Sequence, residues 1–249
     1  MGKPGNKLES LFYKGTYSEV LRLSVDAAQW SSTLDDIPFV VGALSFTGRL
    51  EEAELLIKKL QKQKKLKPLI IARFFLGIGL TRLSEYSKAQ KVFEENFNAK
   101  NKKSDLELFF IYQGMSFFEF FSGQLDAAEK SSKLSFEHAD NAKYLYGKVL
   151  SSDIRAHILI NLGEISRGLK LLTSVRQLSE QLGNSSLPKA IYISETIYKA
   201  RFGLEPNLKE LLHAIQNVNP GDNYSHANLL LEYSRQLLFA EKAIKLIDF

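Results

Sequence analysis

Cysteine is absent from this chain of 249 residues. That excludes disulfide bonds, thiolate nucleophiles and Cys-ligated zinc, and it agrees with a reducing compartment, so a cytoplasmic protein is the expectation. Proline and glycine are scarce as well, at 6 and 15 residues. Strands and turns therefore have few punctuation marks, while Leu, Lys, Glu, Ala and Ser fill long uninterrupted stretches, and helix is the default. Long hydrophobic runs are missing too. The most apolar window, 106–121, is broken by Glu107, Gln113 and Glu119 and falls short of the roughly 18 to 20 residues that a bilayer span requires. It reads as a buried helix, and no membrane span is expected. No apolar stretch follows the first six residues, and Asn6 stands where a myristoylation signal needs Ser or Thr, so neither an export nor a lipidation signal is expected.

Sites of chemistry are just as sparse. The 4 histidines, His138, His157, His213 and His226, are scattered without an HExxH pattern, which gives no metal site. No Gly-x-Ser-x-Gly elbow is present, and Gly77-Ile-Gly79 lacks the third glycine of a phosphate-binding turn. Adjacent carboxylates such as Asp35-Asp36 and Glu94-Glu95 point in different directions along a helix, which suits a cap or a solvated face better than acid-base work. Asp35-Asp36 before Ile37-Pro38 reads as a helix N-terminus. Catalytic residues, cofactors and enzymatic activity are accordingly not expected.

What the chain does have is a hydrophobic content of 45%, enough for a real core, and a periodic pattern. A small residue, a hydrophobic one two positions on, and a small or aliphatic one three further recur as Gly15-Thr-Tyr17-Ser-Glu-Val20, Gly48-Arg-Leu50-Glu-Glu-Ala53, Ser84-Glu-Tyr86-Ser-Lys-Ala89, Gly123-Gln-Leu125-Asp-Ala-Ala128 and Gly163-Glu-Ile165-Ser-Arg-Gly168. A sixth copy, Gly203-Leu-Glu205-Pro-Asn-Leu208, keeps the glycine and loses the hydrophobe. Leads are spaced by 33, 36, 39, 40 and 40 residues, the length of two helices and two turns. The lead ends a first helix in a left-handed turn, and the sixth position lets the second helix approach closely. Apolar residues follow at spacings of three and four, as in Leu50, Ala53, Leu56, Ile57 and Leu60. The first helices, around 70–80 and 106–112, are apolar nearly all round, as expected of helices packed between two neighbours.

The pattern resembles the tetratricopeptide repeat family, whose consensus places Gly, an aromatic or Leu, and Ala at these offsets, with a small residue seven positions earlier; Gly77, Ser116 and Ala156 fit that place. The resemblance implies an all-α fold, a right-handed α-α superhelix of about six to seven helical hairpins forming one domain over 1–249. Within it, 222–249 is a C-terminal capping helix or the start of a further repeat. That last helix, from Tyr224 to about Ile247, would turn Leu229, Leu230, Tyr233, Leu237 and Ile244 inward and Glu232, Arg235, Glu241, Lys242 and Lys245 outward.

In the family, first helices line a concave groove. Carrying its positions over from each lead points Ile71, Phe74, Ile78 and Arg82 inward, then Phe110, Gln113 and Phe117, then Asp153, His157 and Asn161, then Ile193, Ile197 and Arg201. The implied function is a non-catalytic scaffold or adaptor that holds a protein or peptide segment with apolar anchors. The family's Lys and Asn clamp for a terminal carboxylate is missing. Units of about 40 residues also resemble helical-repeat sensor domains of bacterial regulators, and the alternative is such a domain, its output domain outside this chain. Self-association through an end of the repeat array is a further expectation. Net charge is +5, with a local excess of 13 Lys or Arg over 3 Asp or Glu between Lys58 and Lys103. This basic patch comprises Lys58, Lys59, Lys62, Lys64, Lys65, Lys67, Lys100, Lys102 and Lys103. It could draw a polyanion, but nucleic acid is disfavoured because no aromatics interleave with the lysines; cations closing a helix C-terminus account for them.

Overall fold

Left-handed backbone marks the lead of each of the first five copies: φ is 78° at Gly15, 81° at Gly48, 61° at Ser84, 80° at Gly123 and 89° at Gly163. Around each, the same pair of hydrogen bonds closes the turn. At Gly48, the Arg49 N–H donates to the Leu44 carbonyl at 2.8 Å and the Gly48 N–H to that of Ser45 at 3.4 Å, which satisfies carbonyls that the helix end leaves open. Ser84 is the exception in residue type. An L side chain at this φ costs about 1 kcal/mol relative to glycine, so Ser84→Gly is expected to raise unfolding stability by roughly that amount in urea titrations.

The computed structural model describes residues 7–26, 34–98, 103–183, 186–202, 208–218 and 223–247. Among these, the chain is all-helical and contains no strand. Hairpins form from α1 (Lys7–Tyr13) with α2 (Tyr17–Asp26), α3 (Ile37–Phe46) with α4 (Leu50–Lys62), α5 (Leu66–Arg82) with α6 (Tyr86–Phe97), and α7 (Asp105–Phe121) with α8 (Leu125–Asn141). Then come α9 (Leu145–Asn161) with α10 (Ile165–Ser179), α11 (Leu187–Arg201) with α12 (Leu208–Gln216), and finally α13 (Asn223–Ile247). The sixth copy's 203–207 lie outside the described residues. Starts are written locally. Ile37 and Pro38 open α3 after Asp36. Ser104 and Glu107 open α7 with reciprocal side-chain to backbone bonds, which satisfy two otherwise orphaned N–H groups.

First helices pack on their own partners and on each other, α3 against α5 and α5 against α7. The small residues at the sixth motif position sit at the contact between hairpin partners: Val20, Ala53, Ala89 and Ala128 have no accessible surface. A Cβ on Gly168 would come within 2.8 Å of the Ala156 carbonyl oxygen. Gly77 and Gly114 flank the ring of Phe93, which is 1% exposed; a Cβ on either would overlap that ring. One core cluster runs from Phe12 to Ala139, and two smaller ones continue through α9 to α11 and through α11 to α13.

Two features depart from simple succession. The Tyr13 carbonyl accepts hydrogen bonds from the Ser186 N–H at 2.9 Å and hydroxyl at 3.2 Å, so the first hairpin touches the start of α11. In α13, Glu232 is not on a wettable outer face but 1% exposed. It accepts from Arg235 Nε at 3.0 Å, from Gln236 Nε2 at 3.0 Å and from Arg201 Nε at 3.3 Å. A buried carboxylate is stable only when so paired, and here it ties α13 to the end of α11. Leu230 and Leu237 are exposed, not inward. Side chains of Glu241, Lys242, Ile244 and Lys245 lie outside the described residues.

Candidate functional site

The thirteen groove positions divide in two. Ile71, Phe74, Ile78, Phe110, Gln113, Ile193 and Ile197 are all under a tenth exposed. Phe74 packs edge-on to Phe110 at 5.2 Å, and Ile193 and Ile197 join Leu211, Ala214 and Leu229 in the last core cluster. Gln113 belongs to a hydrogen-bond network that joins three helices. Its Oε1 accepts from Ser135 at 2.8 Å, Ser135 meets Ser151 at 2.7 Å, and its Nε2 donates to the Leu150 carbonyl at 3.4 Å. Phe117, Asp153 and His157 are half-buried, and Arg82, Asn161 and Arg201 are exposed.

Those six accessible residues stand among aromatic side chains. The Arg82 guanidinium lies over Phe46 at 4.9 Å, in reach of a cation-π attraction, and Phe46 meets Tyr17 edge-on at 5.4 Å. Tyr13 packs on Tyr146 at 4.3 Å between ring centres, and its hydroxyl bonds that of Tyr144 at 2.7 Å. Phe117 packs on Phe121 at 4.5 Å, Phe121 on Phe120 at 5.2 Å, and Phe120 on His157 at 6.1 Å. The imidazole Nδ1 hydrogen-bonds the Tyr198 hydroxyl at 2.9 Å, and Arg201 lies 5.8 Å from the Tyr198 ring centre.

Burial and neighbouring groups shift several hydroxyls of this track. Burial first, and then the neighbouring Tyr13 and Tyr17, push the Tyr146 hydroxyl well above the usual tyrosine range; Arg82 opposes the shift and Asp153 adds to it. Arg82, Asp153, Tyr13 and Tyr17 all act on this one hydroxyl. Burial likewise drives up Tyr13 and Tyr144. Yet Tyr13, Tyr144 and Tyr146 all keep partial water contact. With the rings described above they form an aromatic track to which α1, α3, α5, α7, α9 and α11 contribute. At its polar end, burial pulls the His157 imidazolium down, but Asp153, whose Oδ1 lies 3.5 Å from Nε2, and Tyr198 outweigh it and hold the group at about 10. His157 is thus a cation at neutral pH.

The sequence pattern did not single out Tyr13, Phe46, Tyr146 or Tyr198, and it gave Tyr17 only as the packing hydrophobe of the first copy. Tyr13 and Phe46 had a signal: each stands two residues before its repeat lead, the same register as Arg82, Phe121, Asn161 and Arg201. Tyr146, at the start of α9, had none.

Lys58, Lys59, Lys62, Lys64, Lys65 and Lys67 are all exposed where α4 ends and α5 begins. Burial raises the carboxyl of Glu9, and Lys67 opposes the shift. Lys103 is half-buried and donates to the Phe97 carbonyl at 3.3 Å, and Lys100 and Lys102 lie outside the described residues. Among the described residues, no group of three or more His, Cys, Asp or Glu could hold a metal ion, and no helix is long and apolar enough to cross a membrane.

These observations describe an all-helical chain of successive hairpins in which several first helices contribute accessible aromatic side chains. Compared with known proteins, no family model matches the chain, and no curated protein matches it significantly.

Proposed function

We propose that this protein is a non-catalytic binding module. Its hairpins wind as a right-handed, tetratricopeptide-like superhelix of six to seven units, and the accessible aromatic, arginine and asparagine side chains line a crevice on its concave face. The observation that carries this reading is the row two residues before each repeat lead: Tyr13, Phe46, Arg82, Phe121, Asn161 and Arg201. Equivalent positions in successive hairpins recur at regular intervals, as a chain-like partner requires. Large rings supply contact area at low entropic cost, and the interspersed Arg and Asn supply orientation. The favoured partner is a protein or peptide segment that presents apolar anchors beside a polar group. The buried half of the positions, from Ile71 to Gln113 and at Ile193 and Ile197, then supports the floor of the site and does not touch the partner.

Selection of peptides from a random displayed library tests this. Enriched peptides are expected to bind the wild type and to lose about tenfold or more in affinity to Phe121→Ala and to Arg82→Ala, the range of an interface anchor. Both variants are expected to keep the wild-type circular dichroism, since both side chains are accessible. Peptides that bind all three proteins equally would remove the crevice as the site.

A further inference from the structure

Succession along the chain places α1 beside α2 and α3, but its last two residues reach much further. The Phe12 ring is 3% exposed, and its centre lies 5.7 Å from that of Phe39 in α3 and 4.6 Å from that of Phe75 in α5. Tyr13 lies 4.3 Å from Tyr146 of α9, and its carbonyl accepts from the Ser186 N–H where α11 begins. Gly42 of α3 makes the seat for Phe12, since a Cβ there would come within 2.6 Å of the ring.

The three rings that α1 meets hold equivalent places. Phe39 stands seven residues before Phe46, Phe75 seven before Arg82, and Tyr146 seven before Asp153. Seven residues are close to two full turns, so each pair shares one helix face. In α3, α5 and α9 alike, that face carries an accessible residue further along and a ring under α1 nearer the helix start. A helix laid across the same face of several others is how a helical partner docks in a groove. Its hold is narrow: of the seven residues of α1, Phe12 alone is buried, and a helix so short is not stable away from the surface it lies on.

We propose that α1 is a built-in occupant of a helix-binding groove, and that a partner helix presenting a Phe-Tyr pair as α1 does displaces it from Phe39, Phe75 and Tyr146. The inference rests on the reading of this face as the binding site. It adds that the partner is helical and that the chain's own first helix competes for the place. A tethered competitor acts at an effective concentration on the order of millimolar, so the partner binds weakly while α1 stays seated.

A fluorescent peptide copying residues 7–17 is the probe, and its anisotropy reports binding. Full-length Phe12→Ala, whose own α1 has lost its anchor, is expected to bind the peptide at least about tenfold tighter than the wild type does. Tyr13→Ala, which removes only a half-buried ring, takes its place if Phe12→Ala does not fold. A Cβ on Gly15 would lie 3.3 Å from that of Ser186, near the spacing of a disulfide, and the chain has no cysteine of its own. Gly15→Cys with Ser186→Cys, added to the same variant, is therefore expected to lose the peptide on oxidation and to regain it on reduction. A folded variant that does not take the peptide, equal binding by variant and wild type, or binding that oxidation leaves unchanged overturns the proposal. Library peptides that depend on Phe121 but ignore the oxidation would overturn this inference alone and leave the binding module standing.

Discussion

Phe93→Ala is expected to be the most damaging single change in the molecule, lowering unfolding stability by about 3 to 5 kcal/mol. Its ring is 1% exposed and is held between Gly77 of α5 and Gly114 of α7, with Phe118 at 6.1 Å. Emptying that slot leaves a cavity between three helices whose backbones cannot close on it, because neighbours on their other sides fix them. The converse change acts through the same slot. Gly77→Ala puts a methyl group into the ring and is expected to cost roughly 1 to 3 kcal/mol. Combining it with Phe93→Leu should cost less than the two single changes together, since the smaller side chain vacates the space the methyl group needs. Urea titrations of the four proteins provide the check, and strict additivity would show that the slot is not shared.

The second large effect depends on pH. The His157 pKa is about 10 in the folded protein against an ordinary 6.5. A group whose pKa is raised by folding contributes its full stabilisation below its unfolded pKa and loses it as pH rises through the folded one. The contribution is therefore complete at pH 6 and below, shrinks between 6.5 and 10, and is gone above. It is on the order of 5 kcal/mol at its maximum, from 1.36 kcal/mol per pKa unit. Asp153→Asn leaves burial to act on the imidazole with only the Tyr198 hydroxyl opposing it. The stability difference between wild type and Asp153→Asn, from urea titrations, is expected to be several kcal/mol at pH 6 and to fall toward zero near pH 10. A difference that does not change with pH would mean that the ion pair does not hold the proton.

Much of the hairpin architecture was legible in the sequence because each turn is written within six residues. A left-handed lead, a hydrophobe that packs back and a small residue at the helix contact are local demands, and Gly48, Leu50 and Ala53 meet them without reference to distant chain. The open face was less legible, because it depends on contacts far apart in sequence. Phe74 and Gln113 occupy the same register as Asp153, yet Phe110 covers the first, and hydrogen bonds to Ser135 and the Leu150 carbonyl enclose the second. Tyr13 enters the site through its contacts with Tyr144 and Tyr146, more than 130 residues away. Glu232 misled for a physical reason too: charge on a helix is ordinarily solvated, and only the arrival of Arg201 and Arg235 makes its burial tolerable.

The bonds from Ser186 to the Tyr13 carbonyl bear on the order in which the molecule is made. Most contacts of stacked hairpins join near neighbours, so each hairpin can settle soon after it leaves the ribosome. The first one cannot finish. Its last partners are synthesised 173 residues later, and until then Tyr13 lacks the surface that completes its burial. The contact around Tyr13 is thus expected to become native late, and loss of either end of it to be felt at both.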